Sequence, residues 1–148
     1  MAGSAARQGR VRARRCAVQA LYQWQVSERK PLDIIDEFLE IRELARVDKQ
    51  YFSTLVSEVA AGAIELKSDL HDCLDIEWDR LDLVERSVLL VSAYEMKTCI
   101  DMPYQVVINE GVELCKMFGT AEGFRFVNAA LDKLARSQRA VEIESQKV

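Results

Sequence analysis

The chain has 148 residues, 49% of them apolar and 30% charged, a balance that fits a globular fold and excludes a disordered one. Its net charge of −4 hides an asymmetry: residues 1–27 hold Arg7, Arg10, Arg12, Arg14 and Arg15 and no acid, so the rest carries −9. The longest apolar run, SVLLVSAY, is far too short to cross a bilayer, which excludes a membrane-spanning helix.

Two prolines, six glycines and abundant Ala, Leu, Glu and Arg favour helix. Residues 1–9 are small and polar, with Gly3, Ser4 and Gly9, and read as a flexible basic N-terminus. A helix is expected from Arg10, with Ala17, Leu21 and Trp24 on one face. Pro31 opens a second helix, whose apolar contacts are Leu32, Ile35, Phe38 and Leu39. Asp48 is the natural N-cap of a third, with Phe52, Leu55, Val56 and Val59 along one face. Gly62 ends or kinks it, and Ile64 to Leu74 continues helically.

In DRLDLVERSVLLVSAYEM, Asp82 and Glu85 stand three apart, as in a capping box, before Val88 and Val91. Asp101 and Pro103 mark the next start, and Val107, Gly111, Leu114 and Phe118 line that helix up to Gly119 as its C′ residue. Thr120 caps the last helix, with Phe126, Val127, Ala130, Leu131 and Leu134 as its stripe. Residues 137–148 read as a polar, frayed tail. No segment alternates as a strand does. The expectation is an all-α fold of about seven helices, one domain over residues 10–136, in two halves of about 10–75 and 76–136.

Reactive groups are sparse. Cys16, Cys73, Cys99 and Cys115 are scattered and His71 is the single histidine, so no metal site is expected; the thiols read as reduced core or partly buried groups. On a helix His71 and Cys73 diverge by about 200°, which argues against a Cys–His pair. Glycine-rich phosphate loops are missing. No catalytic residue and no cofactor is assigned.

The basic end is the positive signal. On a helix Arg12, Arg15, Gln19 and Tyr22 form a line distinct from the Ala17–Leu21–Trp24 stripe, so one face can dock while the other holds an anion. Cations near a helix N-terminus oppose the macrodipole, so their placement calls for a reason other than helix stability. Arginine donates paired hydrogen bonds to phosphate and stacks on bases. No later helix is strongly basic on one face, so single-stranded RNA fits better than a DNA groove. A solvated tail, or contact with membrane or protein, is the alternative use of the same charges. The arginine-rich start lacks a secretory apolar stretch, so a cytoplasmic location is expected, with a transit peptide at residues 1–15 as the lesser alternative.

The segments ARRCAVQALYQWQ, VDKQYF, LDLVERSVLLVSAYEM, PYQVVINEGVELCKMFG and FRFVNAALDKLAR together resemble the NusB family of bacterial transcription antitermination factors, from about Arg10 to Arg136. The resemblance implies seven helices in two helical halves. It implies binding of boxA RNA in nascent ribosomal RNA together with NusE, a small-subunit ribosomal protein, and action on RNA polymerase with other Nus factors. The family's RNA contacts match Arg10, Arg12 and Arg14, with Val11 interrupting the basic run and Arg15 able to substitute. A second RNA-facing element matches Glu122, where relatives often carry Asp, and Phe126, which can equally serve as core; Arg125 is a further phosphate contact. NusE contacts match Tyr22 and Glu85. A related domain also precedes the catalytic domain of some ribosomal RNA methyltransferases, but this chain ends at Val148, so a stand-alone factor is expected. A self-associating helical module, with a homodimer masking the arginines, is the remaining alternative.

Overall fold

The computed structural model describes residues 2–41 and 43–147. Eight α-helices follow in chain order: α1 (Ala2–Val26), α2 (Pro31–Ile41), α3 (Lys49–Ala61), α4 (Ala63–His71), α5 (Leu83–Thr98), α6 (Tyr104–Phe118), α7 (Gly123–Gln138) and α8 (Ala140–Ser145). One 3₁₀ turn, Trp78–Arg80, precedes α5, and no strand occurs among the described residues. The all-α expectation holds. The helices group into two compact units, one ending at Gly62 and the other beginning at Ala63, whereas the sequence placed the division near residue 75.

In the first unit α1 packs on α3 and α2 on both. The α1 face is made small by Ala13, Ala17 and Ala20 beside Val18 and Leu21, all buried. Small side chains let helix backbones approach closely while the larger partners interdigitate. Phe52 of α3 and Phe38 of α2 meet with ring centroids 5.5 Å apart. In α2 the buried residues are Ile34, Ile35 and Phe38, while Leu32 and Leu39 are exposed. The apolar run fits more than one helical face, and the expected stripe was the wrong one by half.

Helix α1 starts at Ala2 rather than at Arg10. Ala5, Ala6, Arg7 and Gln8 are good helix formers, and Gly9 is buried at the start of the α3 cap, where its carbonyl accepts the Asp48 N–H at 3.1 Å. A residue placed there has a reason to be ordered that polarity alone does not reveal.

The second unit is built around α5, which contacts α4, α6 and α7. From Ser87 to Ala93 every residue is buried, as expected of a helix surrounded by others. Gly111 of α6 supplies the closest approach. A Cβ there would stand 2.6 Å from Ser92 Oγ and 2.9 Å from Leu131 Cδ1. Gly119 ends α6 with φ −99°, not in the left-handed region expected of a C′ glycine. Its requirement is steric, since a Cβ would lie 2.8 Å from the Cys115 carbonyl oxygen and 3.1 Å from its Sγ.

Two end signals need correction. Pro103, not Asp101, is the N-cap of α6. The Tyr104 N–H is instead accepted by Glu142 Oε2 at 3.1 Å, so the first turn has a partner from far along the chain. The stretch after Arg136 is not a frayed tail: α7 runs to Gln138, α8 follows, and Arg139 between them is only 5% exposed. Its Nε donates to the Met96 carbonyl at 2.7 Å, one terminal nitrogen to Met102 O at 2.9 Å, and the other to Cys99 O at 3.0 Å. The Glu142 carboxylate faces the same guanidinium at 3.1 Å. Arg139 thus binds the carbonyls left open at the C-terminal end of α5, where a cation also meets the negative pole of the helix.

Replacing Arg139 by Met is expected to cost about 3 kcal/mol, because it strands Glu142 and several carbonyls. Urea denaturation checks this; a loss below about 1 kcal/mol would show that water replaces the guanidinium without penalty.

Candidate nucleic-acid interface

The basic residues of α1 divide by face. Arg10 and Arg14, one turn apart, lie over the Tyr51 ring, with guanidinium carbons 4.9 and 5.6 Å from its centroid. Arg10 also stands 4.0 Å from Asp48 Oδ2. Asp48 accepts the Tyr51 N–H through Oδ1 at 3.0 Å, as its N-cap role requires. A cation over an aromatic face gains about 0.5–1 kcal/mol at the surface and more when desolvated.

Arg14 is 5% exposed. It packs over the Tyr51 ring of α3, one turn from Arg10. Arg10 is exposed, and Arg12 and Arg15 are half-buried, on the side away from that ring. Further along α1, Ala17 and Leu21 are buried, Trp24 is half-buried and Tyr22 is 42% exposed. The expected separation into a docking stripe and an outward line is therefore present from Arg12 to Tyr22.

In the second unit the start of α7 gathers a different group. Glu122 and Arg125 are exposed and pair at 3.8 Å. Phe126 is half-buried, neither a core residue nor fully free. Beside it, Phe124 lies under two cations, Lys116 Nζ at 5.0 Å and Arg125 at 5.7 Å from its ring centroid. Sequence reasoning passed over Phe124 and Tyr51. Each was an aromatic close to arginines in sequence or across a helix pair, and only the folded contacts reveal the stacking. Glu122, not the expected Thr120, is the N-cap of α7; Thr120 Oγ1 still accepts the Gly123 N–H at 3.2 Å, in the turn that leads into the helix.

Glu85 sits in the first turn of α5, its N–H bonded to Asp82 Oδ1 at 2.7 Å. A Cβ on Gly123 would come within 3.2 Å of Glu85 Oε1, so this glycine leaves room for the carboxyl. Burial, then the hydrogen bond and the charge of Asp82, raise its pKa to about 7. The neighbouring Cys115 thiol is buried and pushed up to about 11, first by desolvation and then by Glu85 and Asp82. Cys73 is also raised by burial, its Sγ 3.9 Å from the Asp69 carbonyl oxygen, while His71 is exposed. Among the described residues no cluster of three or more His, Cys, Asp or Glu could hold a metal ion, and no helix is long and apolar enough to cross a membrane.

A carboxyl whose folded pKa lies above its unfolded value stabilises the fold when protonated, fully below about pH 4.5, and that contribution fades as pH rises through about 7. Glu85→Gln is therefore expected to flatten the melting temperature against pH between those values and to raise it at pH 8. An unchanged slope in a thermal-melt series would show that Glu85 titrates as an ordinary carboxylate.

Comparison with known proteins places this arrangement. The NusB family model matches residues 11–136. A transcription antitermination protein NusB from Pseudomonas savastanoi pv. phaseolicola is 43% identical over 135 residues, covering 91% of this chain and 82% of the relative. The protein of the same name from Alcanivorax borkumensis is 42% identical over 138 residues, covering 93% and 92%. That from Edwardsiella ictaluri is 45% identical over 130 residues, covering 88% and 94%. With the family model spanning both helical units and such relatives aligned along most of their own length, the chain belongs to the NusB family.

Proposed function

We propose that the protein is a non-catalytic, cytoplasmic transcription antitermination factor that binds the boxA RNA of nascent ribosomal RNA together with NusE. On that reading it helps RNA polymerase, with other Nus factors, to read through terminators. Family membership supports the general role, since the relatives above are transcription antitermination proteins. The observation that carries the RNA reading is the charge layout of α1: five arginines and no acid within 27 residues of an otherwise acidic chain. An acidic body repels polyanions in general, while a local cationic face engages one of them.

Arg10, Arg12 and Arg15 are assigned to phosphate contacts. Arg14 is assigned a positioning role over Tyr51. At the start of α7, Arg125 adds a phosphate contact, Phe126 a stacking surface and Glu122 a base-edge acceptor. The half-buried state of Phe126 suits both a stack on one ring face and packing on the other. NusE is assigned to Tyr22, exposed on α1, and Glu85, at the first turn of α5.

The test is an anisotropy titration of labelled boxA RNA with the protein and purified NusE, beside a scrambled RNA. Tighter binding of boxA is expected, and equal affinities would refute the assignment. Phe126→Ala is expected to weaken boxA by roughly ten-fold, within the about 1–3 kcal/mol of a base–aromatic stack, and to weaken scrambled RNA less. Unchanged far-UV circular dichroism separates this from loss of the helix.

A further inference from the structure

A groove of about 400 Å³ runs between the end of α5 and the last helix, α8. Met96, Lys97 and Ile100 line it from the end of α5 and the turn after it, Val141 and Glu142 from α8, and Gln138 from the end of α7. Ile100 and Val141 are 74% and 85% exposed. Two branched aliphatic side chains left in water on opposite walls mark a surface that gains by being covered. The groove is built wholly from the second unit and uses none of the α1 arginines. Its α8 wall lies beyond residue 136, where the family-model match ends.

The polar atoms around it are unevenly satisfied. Gln138 Oε1 is buried and has no hydrogen-bond partner among the described residues. A buried acceptor left open costs stability until a donor reaches it. Lys97 Nζ is held by Glu65 Oε1 at 2.6 Å and by Asp69 Oδ2 at 3.0 Å, two carboxylates on one ammonium. Arg139 is spent on Glu142 and on helix carbonyls. Asp101, next to Ile100, is exposed and has no ion pair among the described residues. The groove is thus apolar along its walls and acidic at its rim.

We propose that this groove docks a short segment of a partner protein, one that presents an aliphatic side chain flanked by lysine or arginine. The aliphatic group covers Met96, Ile100 and Val141. The flanking cation meets Asp101 and the carboxylate charge that Lys97 leaves over, a match of opposite potentials. Gln138 lines the groove, so a turn of its amide brings the open oxygen to a backbone N–H of the docked segment. The acidic rim repels phosphate, which sets this surface apart from an RNA contact. The proposal does not depend on the RNA reading of α1.

The experiment follows the isotope-labelled full-length protein by NMR as a capped hexapeptide of alternating leucine and lysine is added. A hexapeptide of alternating leucine and glutamate is the control. The lysine peptide is expected to shift the signals of Ile100, Gln138 and Val141, and the glutamate peptide to leave them in place. Val141→Ser, at an exposed position, is expected to weaken the lysine peptide several-fold with unchanged circular dichroism. Gln138→Met is expected to weaken it too while melting no lower than wild type, because it removes an open acceptor. A lower melting temperature would show that this oxygen is already satisfied in the free protein, against the proposal. Absence of shifts at the groove, or shifts that Val141→Ser leaves unchanged, would overturn it. Light scattering of the free protein tests the other occupant: a dimer that Val141→Ser abolishes would put a second copy in the groove and refute a basic partner segment.

Discussion

The placement of the cationic helix rests on Asp48. Its side chain caps α3, its backbone N–H is taken by the Gly9 carbonyl of α1, and its second carboxylate oxygen faces Arg10. Tyr51, one turn into the capped helix, lies beneath Arg10 and Arg14. One residue therefore sets the start of α3, the position of α1 above it, and which arginines are turned inward. A cap alone is worth about 1 kcal/mol. Here its consequence is geometric: with Arg14 held over the ring, Arg12 and Arg15 are left facing outward. Arginines crowded at a helix start oppose the macrodipole, and the aromatic face and the Asp48 carboxylate offset part of that cost.

In the second unit the same economy appears with reversed charge. Arg139 gathers the carbonyls that end α5, and Glu142, paired with it, receives the N–H that begins α6. A helix end and a helix start are satisfied by one ion pair, each partner at the pole that favours its sign. Glycines at 111, 119 and 123 then allow backbones and side chains to approach where any Cβ would intrude. That packing is what brings the Glu85 carboxyl against the start of α7 and raises its pKa. The charge of this carboxyl, and with it any contact made by the first turn of α5, responds to pH near neutrality.

The helices were legible because their signals are local. Caps at Asp48 and Asp82, the prolines at 31 and 103, and apolar spacing along α3, α5 and α7 mark most of them without tertiary information. What was not legible depends on distant partners. The start of α1 at Ala2 needs Asp48 at Gly9, and the ordered end of the chain needs the α5 carbonyls at Arg139. The α2 stripe failed because Leu32, Ile35, Phe38 and Leu39 satisfy helical spacing about equally with the face that is buried. For the candidate interface, sequence separated an outward line from a docking stripe on α1, and family resemblance supplied the ligand and partner. It did not distinguish Arg14 from Arg12, since that difference is made by Tyr51, thirty-seven positions from Arg14 in sequence. Nor did it find Phe124 between Lys116 and Arg125, a contact across two helices.

The central claim is that the outward arginines of α1 hold RNA by its phosphates. The salt dependence of RNA binding by wild type and by the Arg12→Ala, Arg15→Ala double variant tests it most directly. With about four phosphates neutralised, the log–log slope for wild type is expected to be roughly −3, and the double variant is expected to lose about 1.4 of it. A wild-type slope near zero, or a double variant with an unchanged slope, would contradict the claim.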